Sequence, residues 1–444
     1  FSKAFWIRNA FFADWIQVLT GGGNAMEYGL IGEHLGHSFS KQIHSGLGND
    51  RYILREVPRD RVDEFFETRE FSGINVTIPY KKTALAACDE VSDLAKRAQA
   101  VNCVVNRGGR LYGENTDCAG ILATLEHAGI DVRDKTVLVL GRGGAATAIQ
   151  AVIESLGGRP VTVYRKQAEG CVLPEQAARM YPDAAVVINA TPAGMHPDVE
   201  SQALDLSGFD QLEFVFDLVY NPLKTRLLLQ AGSLGIPHDN GLRMLVTQAV
   251  RAHEIFFDVQ VPDAITEQVL ADLVRQRRNI VLIGMSSCGK STLGKRLAQT
   301  LGLSFTDLDA EIEAAAGLSI PEIFRQEQEA GFRRRETEAA RQAGLDTGQV
   351  IACGGGIIER PENLDLLHRN GIILWLKRDP ALMVHEDADR PMLKQGFDSL
   401  YGRRAPVYAS WADLTVTNDG SLQEGLEAVC RALGLQVDGP ASSG

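Results

Sequence analysis

The sequence predicts an α/β protein of several consecutive units, and three observations carry that expectation. From residue 26 to about 438, short apolar runs alternate with stretches of helical spacing. Two of those runs lead straight into a glycine turn and a helix: "TVLVLGRGGAATA" over 136–148 and "NIVLIGMSSCGKST" over 279–292. Between them, "PDAITEQVLADLVRQRR" reads as a polar helix ending in a basic run, which sets a boundary near residue 277. A chain of 444 residues has room for about three domains of ~150 residues.

In residues 26–120 the runs "YGLIG", "YILREV", "GINVTI" and "VNCVV" read as strands, with helices such as "PRDRVDEFFETRE" between them, a βαβ pattern. Over 121–240 the alternation resumes through "TVLVLG", "PVTVYR", "AVVINAT" and "FVFDLVY", the pattern of a doubly wound sheet. Residues 241–277 hold "GLRMLVTQAVRAHEIFF", apolar at helical spacing, and then the polar helix that serves as a linker. A third α/β unit fills 278–438, and the tail 439–444 is expected to fray. The first 25 residues stand apart: they are apolar and aromatic, but Lys3, Arg8 and Asp14 interrupt them, so they form neither a clean signal segment nor a spanning helix. They are expected to be a leader or non-native extension ahead of Met26, the alternative being an amphipathic helix that docks elsewhere.

A net charge of −12 argues against a nucleic-acid or membrane-surface partner, either of which wants a basic face, while small anions need only a few local cations. The seven cysteines are scattered and form no CxxC pair, which suits a reducing cytoplasm with inert thiols. No histidine spacing matches a metal-binding motif.

In the first glycine turn, Gly141, Gly143 and Ala146 stand in G-x-G-x-x-A register, with Gly144 and Ala145 between them. Backbone amides and a helix N-terminus in such a turn can hold a pyrophosphate, although the same residues also make a plain tight turn. About 20 residues on, where a carboxylate would bond the ribose 2′-hydroxyl of NAD, the chain reads Tyr164, Arg165, Lys166. Two cations there favour the 2′-phosphate of NADP; the alternative is a solvated surface pair.

The motifs "GLIGEHLGHSFS", "INVTIPYKK", "GENTD", "INATPAGM", "DLVYNPLKT" and "GLRMLVTQA" follow one another along the chain. In these motifs and their order, about residues 28–257 resemble shikimate dehydrogenase. The resemblance implies reduction of 3-dehydroshikimate with NADPH, with Lys81 and Asp117 as the catalytic pair. It further implies that Ser38, Ser40 and Tyr220 bond the substrate carboxylate and that Thr77, Asn102 and Gln248 engage ring hydroxyls. Ser, Thr and Asn at such places also serve as turn and cap residues. Met195 and Met244 are expected either to line the nicotinamide pocket or to belong to the core. Lys41 stands where the family commonly has proline, which bears on the rigidity of the serine loop.

The second turn satisfies G-x-x-x-x-G-K-[ST] from Gly284 through Cys288 and Gly289 to Lys290 and Ser291, with Thr292 next, after an apolar strand and before a helix. Backbone amides there cradle phosphates, Lys290 neutralises them and the Ser291 hydroxyl ligates Mg²⁺. Residues 279–438 resemble shikimate kinase through "FTDLDAEIE", "GFRRRE", "ACGGGI", "DRPML" and "YGRRAPVY". The resemblance implies that Asp307 holds Mg²⁺ through water and that Asp309 orients or deprotonates the attacking hydroxyl. Arg333 and Arg404 would clamp the substrate carboxylate, Gly354, Gly355 and Gly356 would admit the ring, and Arg390 would close over the phosphate. Taken alone, the two aspartates could be an ordinary helix N-terminal pair, the arginine run a solvated face and the glycines a turn. Glu336 is expected to pair with an arginine and hold it. Glu386, Asp387 and Asp389 beside Arg390 depart from the family, which usually carries a further basic residue there; only His385 is present.

Together the resemblances imply a two-domain dehydrogenase, made of an α/β substrate domain and an NADP-binding Rossmann domain. Behind it comes a P-loop kinase domain with a parallel sheet of the nucleoside monophosphate kinase kind. The two halves would catalyse consecutive steps, one making shikimate and the other phosphorylating it to shikimate 3-phosphate. The expected cofactors are NADPH, ATP and Mg²⁺, and the expected partners are small molecules, with no nucleic acid and no membrane. The sequence leaves the oligomeric state open, a monomer being compatible with it. Two rivals stay open, a degenerate kinase-like module that only binds, and a dehydrogenase acting on quinate with NAD.

Overall fold

The computed structural model describes residues 26–36, 38–383 and 396–435. Expectations for residues 1–25, for the tail and for Arg390 with its neighbouring acids therefore lie outside the described residues. Two compact units divide near residue 273: the first runs to Asn221 and again from Thr225 to Leu273, and the second comprises Pro222–Lys224 and Val274 onward.

The first unit holds two sheets. Strands β1 (Met26–Gly32), β2 (Ile53–Glu56), β3 (Phe71–Val76), β4 (Glu90–Val91), β5 (Cys103–Arg107) and β6 (Arg110–Glu114) form one, in the order β2-β1-β3-β5-β6-β4. Its first three strands are parallel, as the βαβ pattern anticipates, but β5 is antiparallel to β3. The chain then reverses through Gly108 (φ 61°) and Gly109 (φ 85°) into β6. Two successive residues at positive φ give a tight turn whose twist matches the flanking strands, and glycine takes that conformation without a Cβ clash.

The second sheet comprises β7 (Thr136–Leu140), β8 (Arg159–Val163), β9 (Cys171–Val172), β10 (Val186–Asn189), β11 (Phe214–Asp217) and β12 (His238–Asn240). All are parallel, in the order β12-β11-β10-β7-β8-β9, which is the Rossmann order read from the other edge. Every residue of β7, β10 and β11 is buried, as expected of central parallel strands covered by helices on both faces. The order reverses between β7 and β10, so a crevice opens beyond their C-terminal ends, where Gly141 and Asn189 lie. The helices Leu242–Phe257 and Asp263–Arg277 return to the unit: Val246, Ala249, Ile265, Val269 and Leu273 share a core with Ile43 and Leu47.

The second unit is one parallel sheet of β13 (Asn279–Ile283), β14 (Ser304–Asp307), β15 (Gln349–Ala352), β16 (Gly371–Lys377) and β17 (Leu414–Thr417), in the order β14-β15-β13-β16-β17. β13 is fully buried at its centre and runs directly into the second glycine turn. The long helix Ile320–Leu345 breaks at Gln328, which sits at φ 58°, so the segment carrying Arg333 is a separate rod.

Candidate active sites

In the first unit Lys81 opens the helix Lys81–Ala87 just beyond β3, and Asp117 sits in the first turn of the helix Thr116–His127. Lys81 Nζ donates to Asp117 Oδ2 at 2.6 Å, with the side chains 24% and 13% exposed. An ion pair so far withdrawn from water is screened less than a surface pair. Asn102 Oδ1 accepts from both the amide and the hydroxyl of Thr116, at 2.7 and 3.2 Å. Thr116 Oγ1 also meets Gln248 Oε1 at 3.3 Å. Lys81, Asn102, Asp117 and Gln248, distant in sequence, are thereby brought together.

Ser38 and Ser40 lie on the turn before the helix Ser40–Gly46, where Ser38 Oγ donates to Ser40 Oγ at 3.1 Å and accepts from the Ser40 amide at 3.2 Å. The turn is held from behind by Glu56, which accepts from the Leu35 amide at 2.8 Å. The Tyr220 ring stands edge-on to Phe39 at 5.8 Å between centroids, bringing the loop after β11 against the serine turn. Thr77, at the end of β3, donates its amide to Ile31 and accepts from the Tyr80 amide, both at 2.9 Å. The helix forms with Lys41 exposed in its first turn, where proline would also fit.

The cofactor crevice begins at Gly141, whose φ of 113° is one that L side chains rarely adopt. Gly143 precedes the helix Gly144–Ser155, which has no acid in its first turn. Its orphan amides and positive helix end suit a diphosphate, and the exposed Arg165 and Lys166 after β8 suit a further phosphate, so these residues fit NADP. Ala145 is half-buried and Ala146 buried. Met195 is 45% exposed, whereas Met244 is buried in the core with Cys118 and Ile121.

In the second unit Gly284 (φ 143°) and Gly289 (φ 96°) shape the turn after β13. Lys290 is 8% exposed and its Nζ donates to the carbonyls of Gly284 at 2.9 Å and Met285 at 2.7 Å. Cys288 is buried beneath the turn. Ser291 Oγ donates to Asp307 Oδ2 at 2.6 Å, and Asp307 Oδ1 accepts from the Asp309 amide at 3.1 Å, capping the helix Leu308–Ala316. A hydroxyl beside a carboxylate is an oxygen donor set suited to a hard cation such as Mg²⁺. Lys290, Ser291, Thr292, Asp307 and Asp309 line one cleft with Gly354 and Gly355.

The glycine run is there because side chains crowd it. A Cβ on Gly354 would lie 2.7 Å from Asp309 Oδ1 and 3.0 Å from Glu336 Oε1, and one on Gly356 would collide with the Arg333 guanidinium. Arg333 Nη1 donates to Glu336 Oε2 at 2.7 Å, with side-chain exposures of 9% and 1%. Burial pushes the Glu336 carboxyl up to about 7, with the nearby Arg333 opposing the rise. Arg404 is held by Glu359, which accepts from Nε at 2.9 Å and Nη2 at 2.8 Å.

Sequence reasoning missed Ser286 and Ser287, which also line the cleft but occupy unspecified positions of the loop motif. It also missed Glu359, 45 residues from its partner Arg404 and joined to it only by the fold.

The similarity to known proteins covers both units. The family model for the shikimate dehydrogenase substrate binding domain matches residues 30–104, and that for shikimate kinase matches residues 286–433. The chain is 36% identical over 255 residues to the NADP(+) shikimate dehydrogenase of Caldicellulosiruptor bescii, spanning 52% of this chain and 88% of that protein. Among solved structures it is similar to a chorismate mutase/shikimate 5-dehydrogenase fusion protein from Clostridium acetobutylicum, with 31% identity, a TM-score of 0.53 and coverage of 56% of this chain and 97% of that one. It is similar also to the shikimate 5-dehydrogenase of Thermus thermophilus in complex with NADP(H) and shikimate, with 30% identity, a TM-score of 0.50 and coverage of 55% and 98%. These relatives span the unit that holds Lys81 and Asp117, and the kinase match spans the one that holds Lys290 and Arg333. The chain therefore belongs to the shikimate dehydrogenase family and carries a shikimate kinase domain behind its dehydrogenase half.

Proposed function

We propose that this chain performs two consecutive reactions: NADPH-dependent reduction of 3-dehydroshikimate to shikimate, and ATP-dependent phosphorylation of shikimate to shikimate 3-phosphate. The observation that carries the reading is that the two halves match families named for the same small molecule, as product of one and substrate of the other. Bound NADPH supplies the hydride and bound Mg-ATP the phosphoryl group.

Lys81 holds a proton at Nζ and gives it to the carbonyl oxygen as negative charge builds there, while Asp117 keeps the ammonium oriented. Ser38, Ser40 and Tyr220 bond the substrate carboxylate, and Thr77, Asn102 and Gln248 orient the ring hydroxyls. Discrimination for NADP falls to Arg165 and Lys166. In the kinase half Asp309 accepts the proton of the attacking hydroxyl, and Arg333 and Arg404 clamp the carboxylate. Lys290 neutralises charge on the transferring group, a role that Arg390, outside the described residues, would share, and Ser291 with Asp307 would hold the metal. The seven free thiols, five of them buried, support a reducing, cytoplasmic setting. Among the described residues no helix is long and apolar enough to cross a membrane.

The test is to incubate the purified chain with 3-dehydroshikimate, NADPH and Mg-ATP and to identify the products by mass spectrometry. Shikimate 3-phosphate with matching NADP⁺ and ADP is the expected result. Shikimate alone would remove the kinase half of the reading, and no turnover would remove both.

A further inference from the structure

The residue between the first two glycines of the dinucleotide turn is Arg142, and its guanidinium lies over the ring of Tyr164, 5.8 Å from the centroid. Tyr164 is the first residue after β8, the strand whose end faces the adenosine ribose in a Rossmann crevice. The contact therefore carries a cation from the glycine turn to the place where Arg165 and Lys166 stand. Arg142, Arg165 and Lys166 are all exposed, and among the described residues none of them has a hydrogen-bonded or ion-paired carboxylate. That is notable in a chain of net charge −12, where Arg159 and Lys135, at the opposite end of the same strands, do find side-chain partners. Three unpaired cations from two loops repel one another and gain most from a ligand with more than one negative charge. Neither the first turn of the helix Gly144–Ser155 nor residues 164–168 contains an acid to oppose such a ligand.

We infer that Arg142 is a specificity-determining residue for the 2′-phosphate of NADP, parked on Tyr164 and completing a three-cation clamp with Arg165 and Lys166. The aromatic face restrains the planar guanidinium without consuming its donors, which stay available for the phosphate oxygens. This inference rests on the dehydrogenase reading above and assigns one more residue to its cofactor site.

Binding, rather than turnover, tests it. Calorimetry on the full chain would compare 2′,5′-ADP with 5′-AMP, which differ by the 2′-phosphate alone. Arg142→Ala is expected to weaken 2′,5′-ADP by about tenfold and to leave 5′-AMP unchanged, in keeping with one lost hydrogen bond to a charged group. Tyr164→Leu, which removes the parking face but no charge, is expected to weaken 2′,5′-ADP by a smaller factor and again to spare 5′-AMP. Equal losses for both nucleotides would mean that Arg142 only shapes the turn, and no loss for either would mean that it does not reach the phosphate; both overturn the inference. If the unmodified chain itself fails to prefer 2′,5′-ADP, the NADP reading falls as well. A wild-type preference left intact in Arg142→Ala removes Arg142 alone.

Discussion

The Asn189 amide donates to Asp217 Oδ1 at 2.8 Å and so ties the end of β10 to the end of β11. Asp217 is fully buried, and it also accepts from the Val219 amide at 3.0 Å and from the Thr225 hydroxyl at 2.6 Å. Asn189 in turn accepts from the amide and hydroxyl of Thr191, at 3.0 and 2.7 Å. One carboxylate thus sets the paths of two loops, the one leading to Met195 and the one carrying Tyr220.

Burial pushes the Asp217 carboxyl up to about 6, with its hydrogen bonds pulling the other way. A carboxyl raised in the folded state takes up its proton before the unfolded chain does, so its contribution to stability is present below about pH 4 and is lost as the pH rises through about 6. Asp217→Asn cannot titrate. It is expected to destabilise the first unit, with a cost about 1 kcal/mol smaller near pH 7.5 than near pH 5. Urea denaturation of both proteins at the two pH values checks this, and an identical cost at both would show that Asp217 does not titrate in that range.

Replacing Lys81 with methionine removes the proton at Nζ while keeping much of the side-chain volume. Because the ammonium lies 2.6 Å from Asp117, the change also leaves that carboxylate without its partner. The expected loss in kcat for reduction is about 10²–10⁴-fold, the usual worth of a positioned general acid, with nucleotide binding unchanged. Steady-state assays paired with NADPH titration separate the two. A variant that keeps wild-type kcat would rule Lys81 out as the proton donor.

Glu336 and Arg333 form a withdrawn pair at 2.7 Å, and the arginine cannot shed its charge. Glu336→Ala leaves the buried Arg333 with only its longer contact to the half-exposed Glu329, at 3.3 Å, and is expected to cost about 3 kcal/mol in stability. Glu336→Gln is the milder test. Its neutral amide still accepts a hydrogen bond but steers Arg333 less firmly, so KM for shikimate is expected to rise about tenfold with KM for ATP unchanged. A rise in both constants, or in that for ATP alone, would assign Glu336 to the nucleotide side.

How much of this was readable beforehand follows from how local each signal is. The turns at Gly141 and at Gly284–Gly289 are legible because a phosphate-holding loop needs its glycines at fixed spacing in one short stretch. The hairpin at Gly108 and Gly109 carries an equally local signal, but the alternation of strands and helices around it favours a parallel reading. The β3 to β5 pairing is settled by register within the sheet instead. Asn189, Asp217 and Arg404 lie in motifs that carry the resemblances, but nothing local says that Asp217 pairs with Asn189 or Arg404 with Glu359. Those pairings exist only once the fold brings together residues 28 and 45 positions apart. For Met244 the motif leaves pocket and core both open, and the return helix places it in the core against Gly120.

Acid is expected to weaken the first unit through two histidines. His44 and His253 are both fully buried there, with the His44 ring stacked on Tyr52 at 3.8 Å and an interplanar angle of 8°. Tyr52 donates to Asn75 at 2.7 Å, and Phe256 packs on the same cluster. Burial pushes His44 down to about 3, helped by the nearby His253, and pushes His253 down to about 4. A depressed histidine stays neutral in the folded state while the unfolded chain takes up a proton near pH 6.5, so the stability it lends is complete above that value and is lost as the pH falls toward the folded pKa. Between pH 7 and pH 5 each histidine removes about 2 kcal/mol, while Asp217 returns about 1 kcal/mol, so the net change is a loss. His44→Phe keeps a stacked ring and abolishes one of the two titrations, and should therefore remove about two-thirds of that net acid loss. Hydrogen exchange of peptides from the helix Leu242–Phe257, followed at both pH values, isolates this unit from the kinase half. If the phenylalanine variant loses as much protection as the wild type, His44 does not carry the acid sensitivity, and the burden passes to His253 or to the carboxylates outside the cluster.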